Sequence, residues 1–171
     1  MGLTEIIWIA VPLGIAILVL GGGKTTSAPK TSAINPKHFK HYEARPSLFV
    51  NRSEAQLYSI LYRSLPPHLH LMSKVRLEDV VKVSSALERK DSYSLRGRIK
   101  SRHVDFLLIR PDGTPAAAIE LDGKSHGAST RNADALKNGI FQAVGIPLYR
   151  IRVGENFAVR TAAILADLKP H

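Results

Sequence analysis

Two short apolar segments near the middle of the chain, His103–Ile109 (HVDFLLI) and Ala116–Leu121 (AAAIEL), are separated by the turn sequence Pro111-Asp112-Gly113. Two such runs with a turn between them predict a β-hairpin. Strands that are apolar almost throughout are normally covered on both faces of a sheet. The two segments therefore favour an α/β fold in which this hairpin is central.

Each of these strands carries one acid, Asp105 in the first and Glu120 in the second. A charge buried among apolar side chains is costly, and a Mg²⁺ or Mn²⁺ ion with oxygen ligands would compensate for it. Glu120, Asp122 and Lys124 are spaced by two, so they share one face if the strand continues, and hairpin pairing brings Asp105 beside them. The pattern predicts a metal site at Asp105, Glu120 and Asp122. The alternative is structural: Asp105 bonds backbone amides, and Asp122-Gly123 is a turn.

The segments around the hairpin predict further helices and strands. A helix capped by Asn51 or Ser53 is expected up to Pro66-Pro67, and a strand is expected where Leu69, Leu71, Val75 and Leu77 alternate with polar residues. Later in the chain the pattern predicts a helix with the stripe Ala133, Leu136, Ile140 and Val144 ended by Gly145, a strand over Leu148–Val153, and a closing helix containing Phe157, Thr161, Ile164, Leu165 and Leu168.

The stretch between the first strand and the hairpin is less regular. Glu78–Val83 is expected to form one helical turn or to continue the strand. From Glu88 to Arg102 the chain has six basic residues against two acidic ones, with little periodicity, which predicts an exposed basic loop. Such a loop is either simply solvated or contacts nucleic acid phosphates, with Tyr93 stacking on a base. The expected phosphate contacts are Arg89, Lys90, Arg96, Arg98, Lys100 and Arg102.

The composition narrows the possible functions. The 171 residues suit one domain with an appendage, and the absence of cysteine excludes disulfides, thiolate zinc sites and a cysteine nucleophile. The formal net charge of +10 favours a polyanionic partner. Nucleic acid and anionic lipid heads both meet this description, because binding either releases counterions.

The first 23 residues predict a membrane anchor. Ile6–Leu20 (IIWIAVPLGIAILVL) has no charged side chain, and together with Gly21–Gly23 it is 18 residues long, near the lower limit of about 17 for a spanning helix. All 24 lysines and arginines follow it, so the rest of the chain is expected on the cytoplasmic side of the inner membrane, as a single-pass protein. The expected organisation is an anchor over 1–23, a basic linker over 24–46 and a domain over 47–171.

Three segments together carry a family resemblance: HVDF at 103–106, AIELDGKSH at 118–126 and AVGIPLYRI at 143–151. In this order and spacing the chain resembles the bacterial family called domain of unknown function 2726, which belongs to the PD-(D/E)xK nuclease-like, or restriction-endonuclease-like, superfamily. The resemblance implies a core of helix, three strands, helix and strand, the same order that the periodicities predict.

The resemblance also implies residue roles. Asp105 and Glu120 correspond to the two acids of the superfamily motif, and Glu54 corresponds to the acid often found in its first helix. The usual lysine two residues after the glutamate is replaced by Asp122, so Lys124 or His126 is expected to supply the missing positive charge. Arg131, Asp134 and Lys137 lie close to the motif in sequence, and they either reach the substrate or the second shell of the metal or belong to an exposed helix face.

The implied activity is Mg²⁺-dependent hydrolysis of phosphodiester bonds in DNA or RNA at a membrane, with Asp105, Glu120, Asp122, Lys124 and His126 as the catalytic set. The alternative is a catalytically inactive domain that keeps the fold and binds nucleic acid or protein.

Overall fold

The structure, a computed structural model, describes residues 35–123 and 128–168. Within these ranges the chain is a mixed α/β protein with one four-stranded sheet. The predicted membrane anchor, together with Lys124 and His126, lies outside the described residues. Among the described helices none is long and apolar enough to span a bilayer. A short 3₁₀ helix at Pro36–His41 precedes a compact unit that begins at Arg45.

The sheet contains β1 (His70–Arg76), β2 (His103–Ile109), β3 (Pro115–Asp122) and β4 (Leu148–Arg152) in that order. The first three strands are antiparallel, and β4 is parallel to β3. The hairpin prediction is confirmed. Its turn closes with a hydrogen bond from the Arg110 N–H to the Thr114 carbonyl at 2.9 Å, and Gly113 supplies the positive φ of 85°.

Helices begin and end largely where the sequence predicts. Helix α1 (Arg52–Ser64) is capped by Asn51, whose side chain accepts from the Glu54 N–H. Helix α4 (Ala128–Ala143) makes the crossover between the parallel strands and is followed by Gly145 at φ 70°. The closing helix α5 (Phe157–Asp167) buries Phe157, Thr161 and Ile164, as predicted. In α4 the most deeply buried described side chain is Phe141, which the predicted stripe omitted.

The segment before the hairpin corrects one prediction. Leu77–Val80 forms a helical turn, α2, and Arg89–Ile99, predicted as a loop, forms helix α3. Helix α3 contains few apolar residues. It contacts the rest of the domain through a narrow stripe, in which Ile99 is the buried residue. Asp91 in the first turn and Arg96 and Arg98 in the last turn complement the helix dipole, which helps an otherwise polar segment to be helical.

Helices cover both faces of the sheet. Consecutive strand residues point to opposite faces. Phe106 packs with residues of α1 and α5, whereas Leu107 packs with residues of α2, α3 and α4. Burial on both faces explains why β2 and β3 are apolar almost throughout, and it makes any charge on these strands expensive.

Candidate functional site

A row of four charged side chains crosses the sheet where β2 and β3 separate. Pairing between these strands ends with Phe106 opposite Ile119, and one further step places Asp105 opposite Glu120. On the outer strands Lys74 lies opposite Asp105, and Arg150 is the partner of Glu120. We call Lys74, Asp105, Glu120 and Arg150 the charged row. Two acids in the middle are thus flanked by two bases.

Asp105 bridges the gap between the separating strands. Its Oδ2 accepts from the Leu121 N–H at 3.0 Å, and its Oδ1 accepts from Lys74 Nζ at 2.9 Å. Burial acts to raise the pKa of Asp105, but the hydrogen bonds from Leu121 and Lys74 outweigh it and hold this pKa below its usual value. The Asp105 carboxylate is therefore ionised and fixed in orientation.

Lys74 joins β1 to helix α1. Its backbone has φ 55°, a left-handed conformation that is uncommon for a residue other than glycine. The ammonium group contacts both Asp105 and Glu54, and Glu54 is only 3% exposed. Glu54 in turn accepts from the Val50 N–H at 2.7 Å. Burial opposes the charge of Lys74, yet the bonds to Glu54 and Asp105 raise its pKa above the usual value.

Glu120 is the most buried acid of the charged row, at 7% exposed. It accepts from Lys137 Nζ of α4 at 2.5 Å. Burial raises the pKa of Glu120; the bond from Lys137 opposes this effect, and repulsion from Asp105 adds to it. The ionised form of Glu120 therefore needs a positive charge nearby, which Lys137 provides.

Asp122 lies near Arg150, the last member of the charged row. Arg150 bonds Asp122 at 2.9 Å and also pairs with Asp134 of α4 at 3.2 Å. In the part of the chain that the structure describes, no three His, Asp or Glu side chains converge closely enough to hold a metal ion. The structure thus brings Asp105 and Glu120 together, links Glu54 to them through Lys74, and pairs Asp122 with Arg150.

The basic residues expected to contact nucleic acid lie on and just after α3. Five of them are exposed, and Arg102 is half-buried. Arg96 pairs with Glu78 at 3.3 Å. The basic character predicted for this segment therefore lies on a helical surface.

Sequence reasoning missed two members of the charged row, Lys74 and Arg150, and placed Lys137 only near the site. The available signal was the presence of basic residues, Lys74 and Arg76 in β1 and Arg150 and Arg152 in β4, in strands that were expected to flank an apolar hairpin. Such a residue needs an acid in register with it, and Asp105 and Glu120 were the candidate partners.

Chemically, Asp105 and Glu120 provide hard oxygen ligands at adjoining positions. Mg²⁺ is commonly held by one or two carboxylates, with water and substrate phosphate completing its shell. In this structure the ammonium group of Lys74 contacts Asp105, and the ammonium group of Lys137 contacts Glu120. The two carboxylates are of the ligand type that such an ion takes, and an ion held by them would replace the two ammonium groups.

Residues 47–165 match the protein family described as "Protein of unknown function (DUF2726)". No curated protein and no solved structure matches the chain.

Proposed function

The chain belongs to the DUF2726 family, and we propose that its domain is a metal-dependent nuclease of the PD-(D/E)xK type that hydrolyses phosphodiester bonds of DNA or RNA. The observation that carries the proposal is the pair of carboxylates, Asp105 and Glu120, at the point where β2 and β3 separate. The order of α1, β1, β2, β3, α4 and β4 agrees with the core order of that superfamily.

Asp105 and Glu120 would hold Mg²⁺ or Mn²⁺. When bound, the ion would supply positive charge to the phosphate and lower the pKa of a water molecule. Glu54 keeps Lys74 beside Asp105, and the Leu121 N–H fixes the orientation of the Asp105 carboxylate. These groups hold the site in place before substrate arrives, which is the general requirement for electrostatic catalysis.

Lys137 is the described residue best placed to replace the motif lysine. Its ammonium group bonds Glu120, and its side chain is 14% exposed. If Glu120 held a divalent ion, Lys137 would be available to a phosphate oxygen and would stabilise the charge that develops there. Lys124 and His126 remain the sequence-based candidates for the same role.

A cleavage assay on mixed DNA and RNA substrates with Mg²⁺ or Mn²⁺ tests the proposal. We expect Glu120→Gln to abolish cleavage and Lys137→Met to lower kcat by about 10²- to 10³-fold, the usual loss for one charge-stabilising donor. Arg63→Ala, an exposed cation on α1, is the control and retains activity. Cleavage by Glu120→Gln at the rate of the parent protein would overturn the proposal.

A second candidate is a catalytically inactive module that binds nucleic acid or protein. This candidate is favoured by the pairing of Lys74, Lys137 and Arg150 with the acids. These ion pairs neutralise the carboxylates of the site without a metal ion. Nucleic-acid binding that survives in an Asp105→Asn, Glu120→Gln double variant, with no cleavage by the parent protein, would favour this module.

We also propose that the domain works beside a membrane, held by the apolar stretch Ile6–Gly23. The support is the sequence: an uncharged stretch followed by the basic residues of the chain. A reporter fused after His171 is expected to be active in the cytoplasm, with the chain in the membrane fraction. Activity only in the periplasm, or a soluble full-length chain, would contradict this topology.

A further inference from the structure

A basic pocket of about 290 Å³ adjoins the charged row. Its walls come from the end of β1, the segment after α3 and the start of β2, and they contain no acidic side chain. The lining residues are Lys74, Arg76, Lys100, Ser101, Arg102 and His103. A cavity lined by four permanent cations is suited to an anion.

Half of that charge is already neutralised within the protein. Lys74 pairs with Glu54 and Asp105, and Arg76 pairs with acids of α2. Among the described residues, Lys100 and Arg102 form no ion pair. These two side chains leave the pocket with positive charge that an anionic ligand can use.

Arg102 adds a second observation at this pocket. Its Nε is buried and has no hydrogen-bond partner among the described residues. A buried donor without an acceptor costs about 1–3 kcal/mol. Buried donors in native proteins are rarely left in this state, so water or a ligand in the pocket is expected to supply an acceptor here.

The pocket lies beside the carboxylates. Lys74 lines the pocket and also bonds Asp105 at 2.9 Å. His103 and Asp105 are two residues apart on β2, so their Cα atoms lie about 7 Å apart. A polynucleotide carries phosphates at a regular repeat along its strand, so one phosphate at the carboxylates brings a neighbouring phosphate near the pocket.

We propose that this pocket binds a backbone phosphate next to the one at Asp105 and Glu120 and thereby sets which bond is presented to the carboxylates. That the bound phosphate lies next to a bond to be cleaved rests on the proposed nuclease function. That the pocket binds phosphate does not depend on it. Lys100 supplies exposed charge, and Arg102 supplies a buried, directional donor.

The test measures binding of a single-stranded oligonucleotide to the full-length protein in EDTA, across a range of salt. We expect Lys100→Ala, Arg102→Gln to flatten the slope of log affinity against log salt by about 0.7 units, the value for one phosphate contact on a single strand. The matched control, Arg63→Ala, Arg152→Ala, removes two exposed cations elsewhere and retains the parent slope. Equal slopes in the two variants would overturn the proposal.

Two further variants keep the result interpretable. Lys100→Glu changes an exposed side chain and leaves the core untouched, and it is expected to weaken binding further by charge reversal. Arg102→Lys keeps the charge but removes Nε, and it is expected to weaken binding while the thermal midpoint stays near that of the parent protein. Parent-level affinity in both variants would contradict the assignment.

Other outcomes separate the pocket from the nuclease activity and from lipid. A slope difference without any cleavage would support the pocket and contradict the nuclease. Normal cleavage with an unchanged slope would support the nuclease and contradict the pocket. Phosphatidylcholine vesicles with and without phosphatidylserine test lipid heads, and we expect the Lys100, Arg102 variant to bind both as the parent does. Weaker vesicle binding with unchanged oligonucleotide binding would assign the pocket to lipid.

Discussion

Two ion networks lie close together in this domain and differ in their exposure to water. The inner network consists of Glu54, Lys74 and Asp105, with side-chain exposures of 4%, 21% and 16%. The outer network joins β1, α2 and α3 through Arg76, Glu78, Asp79 and Arg96, and its two arginines are 61% and 70% exposed. Lys74 and Arg76 are only two residues apart on β1.

The difference shows that the surroundings of an ion pair decide its effect more than its distance does. Exposed pairs in water contribute little, because solvent and salt screen them. In a buried network each charge depends on its partners, and removal of one partner leaves the others uncompensated. The inner network is therefore expensive to disrupt, and it lies beside Glu120 on the sheet.

Removal of the lysine from the inner network should give the largest effect. Lys74→Met leaves Glu54 and Asp105 facing each other without a cation. We expect a loss of about 3 kcal/mol in the free energy of unfolding, the low end for a buried pair because Lys74 is partly exposed. Urea unfolding of the full-length protein measures it.

The controls for this loss come from both networks. Arg76→Met, in the outer network, should leave the urea midpoint nearly unchanged. The neutral triple variant Glu54→Gln, Lys74→Met, Asp105→Asn should recover part of the loss, because no unpaired charge remains. If Lys74→Met and Arg76→Met have the same effect, the two networks do not differ as their exposure indicates.

A divalent cation should stabilise the site beside the inner network by a similar amount. At about 100 times its dissociation constant, Mn²⁺ is expected to add roughly 2.7 kcal/mol to the free energy of unfolding, because it binds only the folded site. Glu120→Ala should abolish the gain, whereas Glu78→Gln in the outer network should keep it. Thermal unfolding with increasing Mn²⁺ measures both. Equal gains in the two variants would mean that Glu120 does not hold the ion.

The hairpin could be predicted from its two apolar runs and the turn between them, and α1, α4, β4 and α5 could be predicted because each has a clear apolar period or a recognisable cap. Helix α3 could not, since few of its residues are apolar and it contacts the rest of the domain through a narrow stripe. Asp105 and Glu120 were identifiable as acids within apolar strands. Their partner Lys74 was not, because its role depends on the register of β1 against β2, which no local pattern reveals.

Asn51 fixes one end of the inner network and should have an intermediate effect. Its side chain caps α1 by accepting from the Glu54 N–H at 2.9 Å. Asn51→Ala should cost about 1 kcal/mol in the free energy of unfolding, the usual value for a lost cap. Asn156→Ala removes the cap of α5, which lies outside both networks, and is the matched control.

If the Asn51 cap also positions Glu54, Asn51→Ala should reduce the destabilising effect of Lys74→Met when the two changes are combined. Asn156→Ala should instead add to Lys74→Met independently. Simple additivity in both double variants would show that the cap stabilises α1 without contributing to the inner network.

The smallest effect is expected in the outer network. Glu78 contacts both Arg76 and Arg96, so Glu78→Gln weakens two pairs at once. Because both arginines are largely exposed, the loss should be only about 0.2–1 kcal/mol at low salt and should disappear at high salt, where screening weakens the pairs in the parent protein too. Urea unfolding at two salt concentrations measures the difference. The side chain of Glu78 is 16% exposed, so a loss that persists at high salt would mean that Glu78 behaves as a buried charge. The exposure of the acids, and not that of the arginines, would then decide how the two networks differ.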